Sequence, residues 1–295
     1  MNRCWFARHQ KILILKCLAD GNSLRATARI AGVSRNTVSK LLMDAGKVCA
    51  AYQDDALRDL NCQRIQVDEI WAFVYAKAKN VPRAVSAPPE AGDVWTWTAI
   101  DADTKLIPSW RVGDRSGMTA IDFMDDLRSR LANRVQLTSD GHKAYLEAVE
   151  GAFGAYVDYA MLVKLYGPAT GEDGRRYSPA DCIGAHKEPV MGNPNPDFIS
   201  TSYVERQNLT MRMSMRRFTR LTNAFSKKLE FHVHALALHF MHYNFCRLHG
   251  SIGTTPAMAA GVTDRIWEVG DIVDMVDAAQ PKPNRPAPYL PRVQH

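Results

Sequence analysis

The sequence predicts an α/β protein preceded by an all-α helix-turn-helix module. Three observations carry that prediction: apolar residues at helical spacing over residues 9–46, a switch to period two and β-formers from Arg64, and a return to helical spacing at Thr119 and again at Ser202. The 295 residues, 46% hydrophobic and 23% charged, suffice to bury a core and to build a main domain with one or two smaller modules. That balance excludes fibrous, disulfide-scaffold and wholly disordered classes.

Ile12, Leu13, Leu15 and Leu18 give the first helix its apolar stripe, and Asp20-Gly21-Asn22 ends it. A second helix follows from Ser23 through Leu24, Ala28 and Ile30 to Ala31-Gly32-Val33. Ser34 then stands at an N-cap position, with Val38, Leu41 and Leu42 recurring at helical spacing. Helix, tight glycine turn and helix is the helix-turn-helix pattern. From Arg64, Ile65, Val67, Ile70, Trp71, Phe73 and Val74 predict a strand, Val94 to Ile100 a second and Leu106 to Val112 a third, together an antiparallel meander. Val81 to Gly92, with Pro82, Pro88 and Pro89, reads as a loop. Ile121, Met124, Leu127 and Leu131 predict a helix, Val135 to Thr138 a short buried strand, and residues 156–166 another strand. Gly167 to Ser200, rich in Gly, Pro and Asn, reads as a long irregular insertion. Helical character resumes at Ser202, and a last helix is expected from Ala224 to Phe245 with Phe225, Leu229, Leu236, Phe240 and Met241 on its core face. Pro281, Pro283, Pro286, Pro288 and Pro291 make the final stretch an extended tail.

Lys plus Arg number 37 against 31 Asp plus Glu, a net charge of +6 that favours a polyanionic partner. Six scattered cysteines form no C-x-x-C pair, so neither a zinc knuckle nor a disulfide framework is expected, and a reducing cytoplasm is the natural compartment. The most apolar late stretch, Phe231 to Phe245, is broken by His232, His234, His239 and His242, and no membrane span is expected. His232, His239 and His242 could share a helix face, but without a fourth ligand a packing role is favoured. Trp95, Trp97 and Trp110, at strand spacing, likewise read as packing residues.

The module places Arg35, Asn36, Thr37, Ser39 and Lys40 on the first turns of its last helix, the part that enters a major groove. The alternative is a small helical cap with a solvated basic face. Among the acidic residues, Asp68 sits inside the strand "RIQVDEIW", where a charge is costly to bury unless compensated. Asp140 follows the strand "VQLTSDG", and Glu205 lies one turn into a helix in "SYVERQN". Taken singly, they read as an edge-strand charge, a turn former and a helix-dipole partner. Taken together, they meet one requirement: two divalent cations about 3.5–4 Å apart need bridging and flanking carboxylates to act on a phosphodiester. Asn208, Arg212 and Arg216 follow Glu205 at helical spacing and are placed to meet phosphates, and Arg217, Arg220, Lys227 and Lys228 extend the positive region. A solvated basic helix is the alternative.

The order Asp68, Asp140, Glu205 behind a helix-turn-helix resembles the Asp-Asp-Glu (DDE) transposases of bacterial insertion sequences, the IS-one family in particular. "IQVDEIW", "GDVWTWTAID", "NRVQLTSDGHKAY", "STSYVERQNLTMRM" and "HYNFCRLHGSIGTTPAMAAG" run in the family's order from about residue 10 to 265. The resemblance implies a ribonuclease-H-like mixed sheet flanked by helices, with the triad Asp68, Asp140 and Glu205 holding two Mg²⁺ ions, for which Mn²⁺ can substitute. It implies strand transfer by water or a 3′-hydroxyl acting directly on phosphorus, with double-stranded DNA (terminal inverted repeats and target) as partner. A homodimer or higher oligomer is expected when ends are synapsed, in a bacterial cytoplasm and on the nucleoid when DNA is bound. Arg247 and His249, in "YNFCRLHGSIGTTPA", resemble a late motif near the active site or DNA. Glu69, next in its strand, is expected to face away from Asp68 and not to serve as a ligand, and Asp101 and Asp103 to be turn residues. Some family members open with a cysteine zinc module, whereas this chain has only isolated Cys4 and Cys17 ahead of the helix-turn-helix; the zinc module is expected to be absent or the start truncated.

The expected domains are a DNA-binding region at 1–50, a linker at 51–63, and a catalytic domain at 64–222 with its insertion at 167–200. A helical region at 223–265 and a largely disordered tail at 266–295 complete the chain. The alternatives are a related integrase or nuclease, or a catalytically silent helix-turn-helix regulator.

Overall fold

Residues 7–167, 182–219 and 224–280 are described by the structure, a computed structural model. Three helices open it: α1 (Arg8–Ala19), α2 (Leu24–Ala31) and α3 (Arg35–Ala56). Their breaks are written in side chains. Ser23 Oγ accepts from Ala26 N at 3.1 Å, Ser34 Oγ accepts from Thr37 N at 3.1 Å, and Gly32 ends α2 in the left-handed region at φ 65°. Helix α3 does not stop at residue 50, so the expected linker at 51–63 is helical as far as Ala56. Cys49 and Gln53 are buried there, and Gln53 Nε2 donates to Ala237 O at 3.0 Å, which ties the extra turn to the body.

The body is a mixed sheet. Its strands are β1 (Arg64–Val74), β2 (Gly92–Asp101) and β3 (Trp110–Gly113), then β4 (Val135–Asp140), β5 (Val157–Tyr166) and β6 (Cys182–Met191); helices α4 (Gly117–Arg130) and α5 (Ala144–Phe153) precede and follow β4. The six strands lie in the order β3-β2-β1-β4-β5-β6. Strands β1, β2 and β3 form the expected antiparallel meander, β4 pairs parallel with β1 and β5, and β6 pairs antiparallel with β5.

Several boundaries differ from the sequence reading. The third strand begins only at Trp110, because Asp101 Oδ2 accepts from Thr104 N (3.0 Å) and Oγ1 (2.6 Å) in a turn that leaves Lys105 at φ 64°. Buried Asn244 then takes the next stretch, accepting from Ile107 N and donating to Ile107 O, both at 3.0 Å. The loop at 81–92 opens with a 3-10 turn, Ala78–Arg83. Helix α5 was not foreseen, although Tyr145, Ala148, Val149 and Phe153 bury one face. The expected irregular insertion at 167–200 contains β6, an edge strand exposed on both faces and carrying Pro189. Such a strand has no buried side to impose alternation. The rest of that insertion from 168 to 181 lies outside the described residues.

Helix α6 (Ser202–Ser214) crosses one face of the sheet; Gln66 Oε1 on β1 accepts from Tyr203 N (2.8 Å) and Val204 N (3.2 Å) at its start. Helix α7 (Leu229–Met241) is shorter than expected and runs into a π-helical turn, His242–Cys246. The short α8 (Pro256–Ala259) and α9 (Val269–Ala279) follow. Helix α9 corrects the expectation of a disordered stretch from 266. Its Val269, Ile272, Val273 and Val276 are buried, while Arg8 pairs with Asp274 at 2.8 Å and Lys11 with Asp277. The prolines from 281 on lie outside the described residues. Among the described residues, no helix is long and apolar enough to cross a membrane, and the cysteines are free.

Gly46 on α3 marks the closest approach to α7: a Cβ there would lie 2.3 Å from His234 Cβ and 2.6 Å from His234 Cα. Ala is the better helix former by about 1 kcal/mol, but the clash is with backbone and no rotamer relieves it. Gly46→Ala is therefore expected to destabilise by about 1–3 kcal/mol, read from urea unfolding midpoints. A stabilised variant would contradict the close packing.

Candidate metal centre

The register of β1 explains where the site forms. β1 pairs with β4 only from Arg64 to Gln66, opposite Gln136 to Thr138, whereas β4 stays paired with β5 as far as Asp140↔Leu162. Beyond Gln66 the strands part, and the opening receives side chains from both. Asp68 enters from β1 and Asp140 from the last position of β4.

A Glu69 oxygen reaches the opening as well, which overturns the expectation that it offers no ligand. Asp68, Glu69 and Asp140 each offer an oxygen, all within 4.8 Å of one another, a group that can hold a metal ion. Strand alternation still sends Glu69 to the other face of β1, where it lies opposite Trp97 and near His142. With no ladder partner on the β4 side, however, the oxygens of both residues reach the same opening.

Each carboxylate is held. Asp68 Oδ1 accepts from Glu69 N at 2.8 Å and Oδ2 from Asn208 Nδ2 at 2.7 Å. Asp140 Oδ1 accepts from His142 N at 2.9 Å. Glu205, in the first turn of α6, is bound by Lys164 of β5 and by the Thr201 hydroxyl. It is absent from the tight group of three, though its charge acts on Asp68.

The electrostatics follow from this crowding. Burial and then the charge of Asp140 push the Asp68 carboxyl up to about 7, with Glu205 adding to the rise and Lys164 opposing it. Burial, Asp140 and Asp68 push Glu69 up to about 8, against the pull of Arg115. Burial and the Arg115 charge lower the His142 imidazolium below its ordinary value.

The expected basic residues divide. On the first turns of α3, Arg35, Asn36 and Lys40 are exposed and Thr37 and Ser39 half-buried; Lys40 pairs with Asp44 at 2.5 Å. Asn208 is buried and spends its amide on Asp68, so it positions a carboxylate instead of meeting phosphate. Helical counting from Glu205 to Arg216 fails because α6 ends at Ser214, and Arg216 stands exposed in a 3-10 turn; Arg212 is half-buried. Arg217 turns inward, donating from Nε to Ser226 Oγ at 2.7 Å, and burial lowers it to about 10. Arg220 lies outside the described residues, while Lys227 and Lys228 are exposed. Arg247 is exposed, and His249 Nδ1 lies 3.0 Å from Ser251 Oγ, in the field of Lys105, Arg247 and Arg206.

The packing readings agree with the structure. Burial lowers His232 and His239 to about 3, which leaves them neutral, and Trp97 is fully buried with Nε1 donating to Asp114 O at 3.0 Å. Asp101 closes its turn and Asp103 pairs with Arg64. Sequence reasoning missed Lys164, Thr201, His142 and Arg115. The first two are ordinary polar residues whose role appears only when β5 and α6 meet; His142 follows Asp140 by two, the one local signal.

No family model and no curated protein matches the chain.

An acid whose value is raised in the fold keeps its proton where the unfolded chain has already lost it, so stability falls as pH climbs. For Asp68 and Glu69 the window runs from the ordinary carboxylate value up to about 7 and about 8. Asp140→Asn removes the charge that acts on both. In EDTA, its stability is expected to exceed that of the wild type by a margin that widens from pH 5 to pH 8, read from denaturant midpoints. A constant or shrinking margin would contradict the coupling.

Proposed function

We propose that the chain is a DNA transposase of the Asp-Asp-Glu class, which binds the terminal inverted repeats of an insertion sequence through its first three helices. It cuts and joins DNA at Asp68, Asp140 and Glu205. The observation that carries this reading is the meeting of Asp68, from the middle of β1, and Asp140, from the end of β4, at one opening in the sheet, with Glu205 in the first turn of α6 near enough for its charge to act on Asp68. The six-stranded mixed sheet flanked by helices is compatible with the ribonuclease-H-like fold that the family resemblance implies.

The donor set fits a hard divalent cation. It offers carboxylate oxygens only, in a space where two of the acids are otherwise driven to hold protons near neutral pH. Asp68 and Asp140 would hold two Mg²⁺ ions with Glu205. When bound, they activate the attacking oxygen and stabilise the leaving oxygen of a phosphodiester.

The rest is done by the protein's own groups. Asn208 fixes Asp68 through Oδ2 and the Glu69 amide through Oδ1; the His142 amide fixes Asp140. Lys164 and Thr201 hold Glu205 ready on α6, and Lys164 offsets part of the negative charge until substrate and ions arrive. Arg216 and Arg247, exposed beyond α6 and α7, are placed to meet the DNA backbone, as Arg35, Asn36, Thr37, Ser39 and Lys40 are to read a groove.

Mobilisation of a marker flanked by the DNA that brackets this gene tests the reading. Wild type is expected to move it and Asp140→Asn to fail by at least about 100-fold while binding the same ends with near-wild-type affinity. Equal mobilisation by the two would reject the carboxylate assignment. Binding without mobilisation by either would favour the silent regulator.

Arg35→Ala is expected to reduce the preference for a terminal repeat over random DNA by about tenfold or more, measured by competition binding. An equal loss on all sequences would make Arg35 a phosphate contact.

A further inference from the structure

Among the described residues, Glu69 is the acid in the opening that the Asp68–Asp140–Glu205 reading leaves without a task. Its side chain is only 2% exposed, and Oε1 is buried with no hydrogen-bond partner. Two basic groups stand off it: His142 Nε2 is 3.7 Å from Oε1 and Arg115 Nη2 is 3.5 Å from Oε2. Both separations exceed the roughly 2.7–2.9 Å of a charge-assisted hydrogen bond, so neither group saturates the carboxylate. His142 Nε2 is itself buried and unpartnered, while its ring packs on Trp97 at 5.8 Å and on Tyr145 at 5.9 Å. Burial in this state is costly for an ionised carboxylate unless a proton or a cation meets it.

The oxygen positions indicate which cation. Asp68, Glu69 and Asp140 bring one oxygen each within 4.8 Å of the others. Ligands about 2.1–2.5 Å from one divalent ion lie no more than about 4–5 Å apart, so these three fit one coordination sphere. Glu205 is outside that group, 41% exposed and engaged by Lys164 and Thr201 on the α6 side.

We propose that Glu69 is a metal ligand: with Asp68 and Asp140 it completes the first of two divalent-cation positions, and Glu205 serves the second. The proposal rests on the metal-dependent reading above. Asp68, with Asn208 on its α6 side and Glu69 across the strand, is the carboxylate shared by both positions. His142 and Arg115 are positioning residues that keep Glu69 aimed at the opening. The first position forms from β1 and β4 alone, so it is expected to fill before DNA is bound and to be the tighter of the two.

Mn²⁺ titration of the full chain by calorimetry, followed by electron paramagnetic resonance of free Mn²⁺, tests this without relying on activity. Glu69→Gln is expected to weaken the tighter Mn²⁺ class by at least about tenfold. Glu205→Gln is expected to leave that class within about twofold and to remove the weaker one. Glu69→Asp keeps the charge but withdraws the oxygens by one methylene, and it is expected to lose affinity as Glu69→Gln does. Its thermal melt confirms that a fold is present in case the Gln variant fails to fold. Wild-type Mn²⁺ affinity in both Glu69 variants, with binding lost in Asp140→Asn, would overturn the role of Glu69 and leave the metal reading standing. No Mn²⁺ binding by the wild type would overturn both.

Discussion

The parting of β1 from β4 after three paired residues is the constraint on which the rest depends. A parallel ladder that continued in the same register would pair Asp68 with Asp140, fill the space between their strands with backbone hydrogen bonds, and leave Glu69 on the other face. Because the ladder stops at Gln66↔Thr138, carboxylates from two strands and from both faces of one strand share a single opening. The mutual repulsion is only partly relieved by Lys164, Arg115 and the backbone amides of Glu69 and His142. With burial as the larger cause and this repulsion added to it, Asp68 rises to about 7 and Glu69 to about 8, and a divalent cation would lower both.

Helices around the sheet keep that opening in register with the basic module. Gln66 caps the start of α6 from within β1, so the helix that carries Glu205 and Asn208 is indexed to the strand that carries Asp68. At the other end, α3 continues past the module into the body. Gln53 reaches Ala237, Gly46 lets α7 approach, and Arg130 joins Asp54 of α3 to Asp126 of α4. Helix α9 closes over α1 and α3 through its apolar face and the Arg8–Asp274 and Lys11–Asp277 pairs. The exposed first turns of α3 thus belong to a helix whose far end is part of the core, which ties Arg35, Asn36 and Lys40 to the body that carries the acidic cluster.

What was legible in the sequence was whatever a single element decides. The N-cap at Ser34, the second helix starting after Ser23, the meander from Arg64, and the placement of Asp68 inside a strand, Asp140 at a strand end and Glu205 one turn into a helix follow from local pattern, and the structure bears these out. What was not legible depended on neighbours. Alternation sends Glu69 away from Asp68, and only the missing ladder partner brings their oxygens together. Asn208 and Arg216 sit on Glu205's face by count, but burial converts Asn208 into a carboxylate holder and the end of α6 at Ser214 removes Arg216 from the helix. Strand β6 is exposed on both faces and leaves no alternation to read. Helix α9 did carry an apolar spacing at Val269, Ile272, Val273 and Val276, and the prolines beyond it drew it into the tail.

Anomalous scattering from crystals of the full chain grown with Mn²⁺ tests the central claim most directly. A peak about 2 Å from oxygens of both Asp68 and Asp140, in the opening between β1 and β4, is the expected result. Mn²⁺ bound elsewhere while that opening stays empty and the carboxylates pair only with protein groups would contradict it.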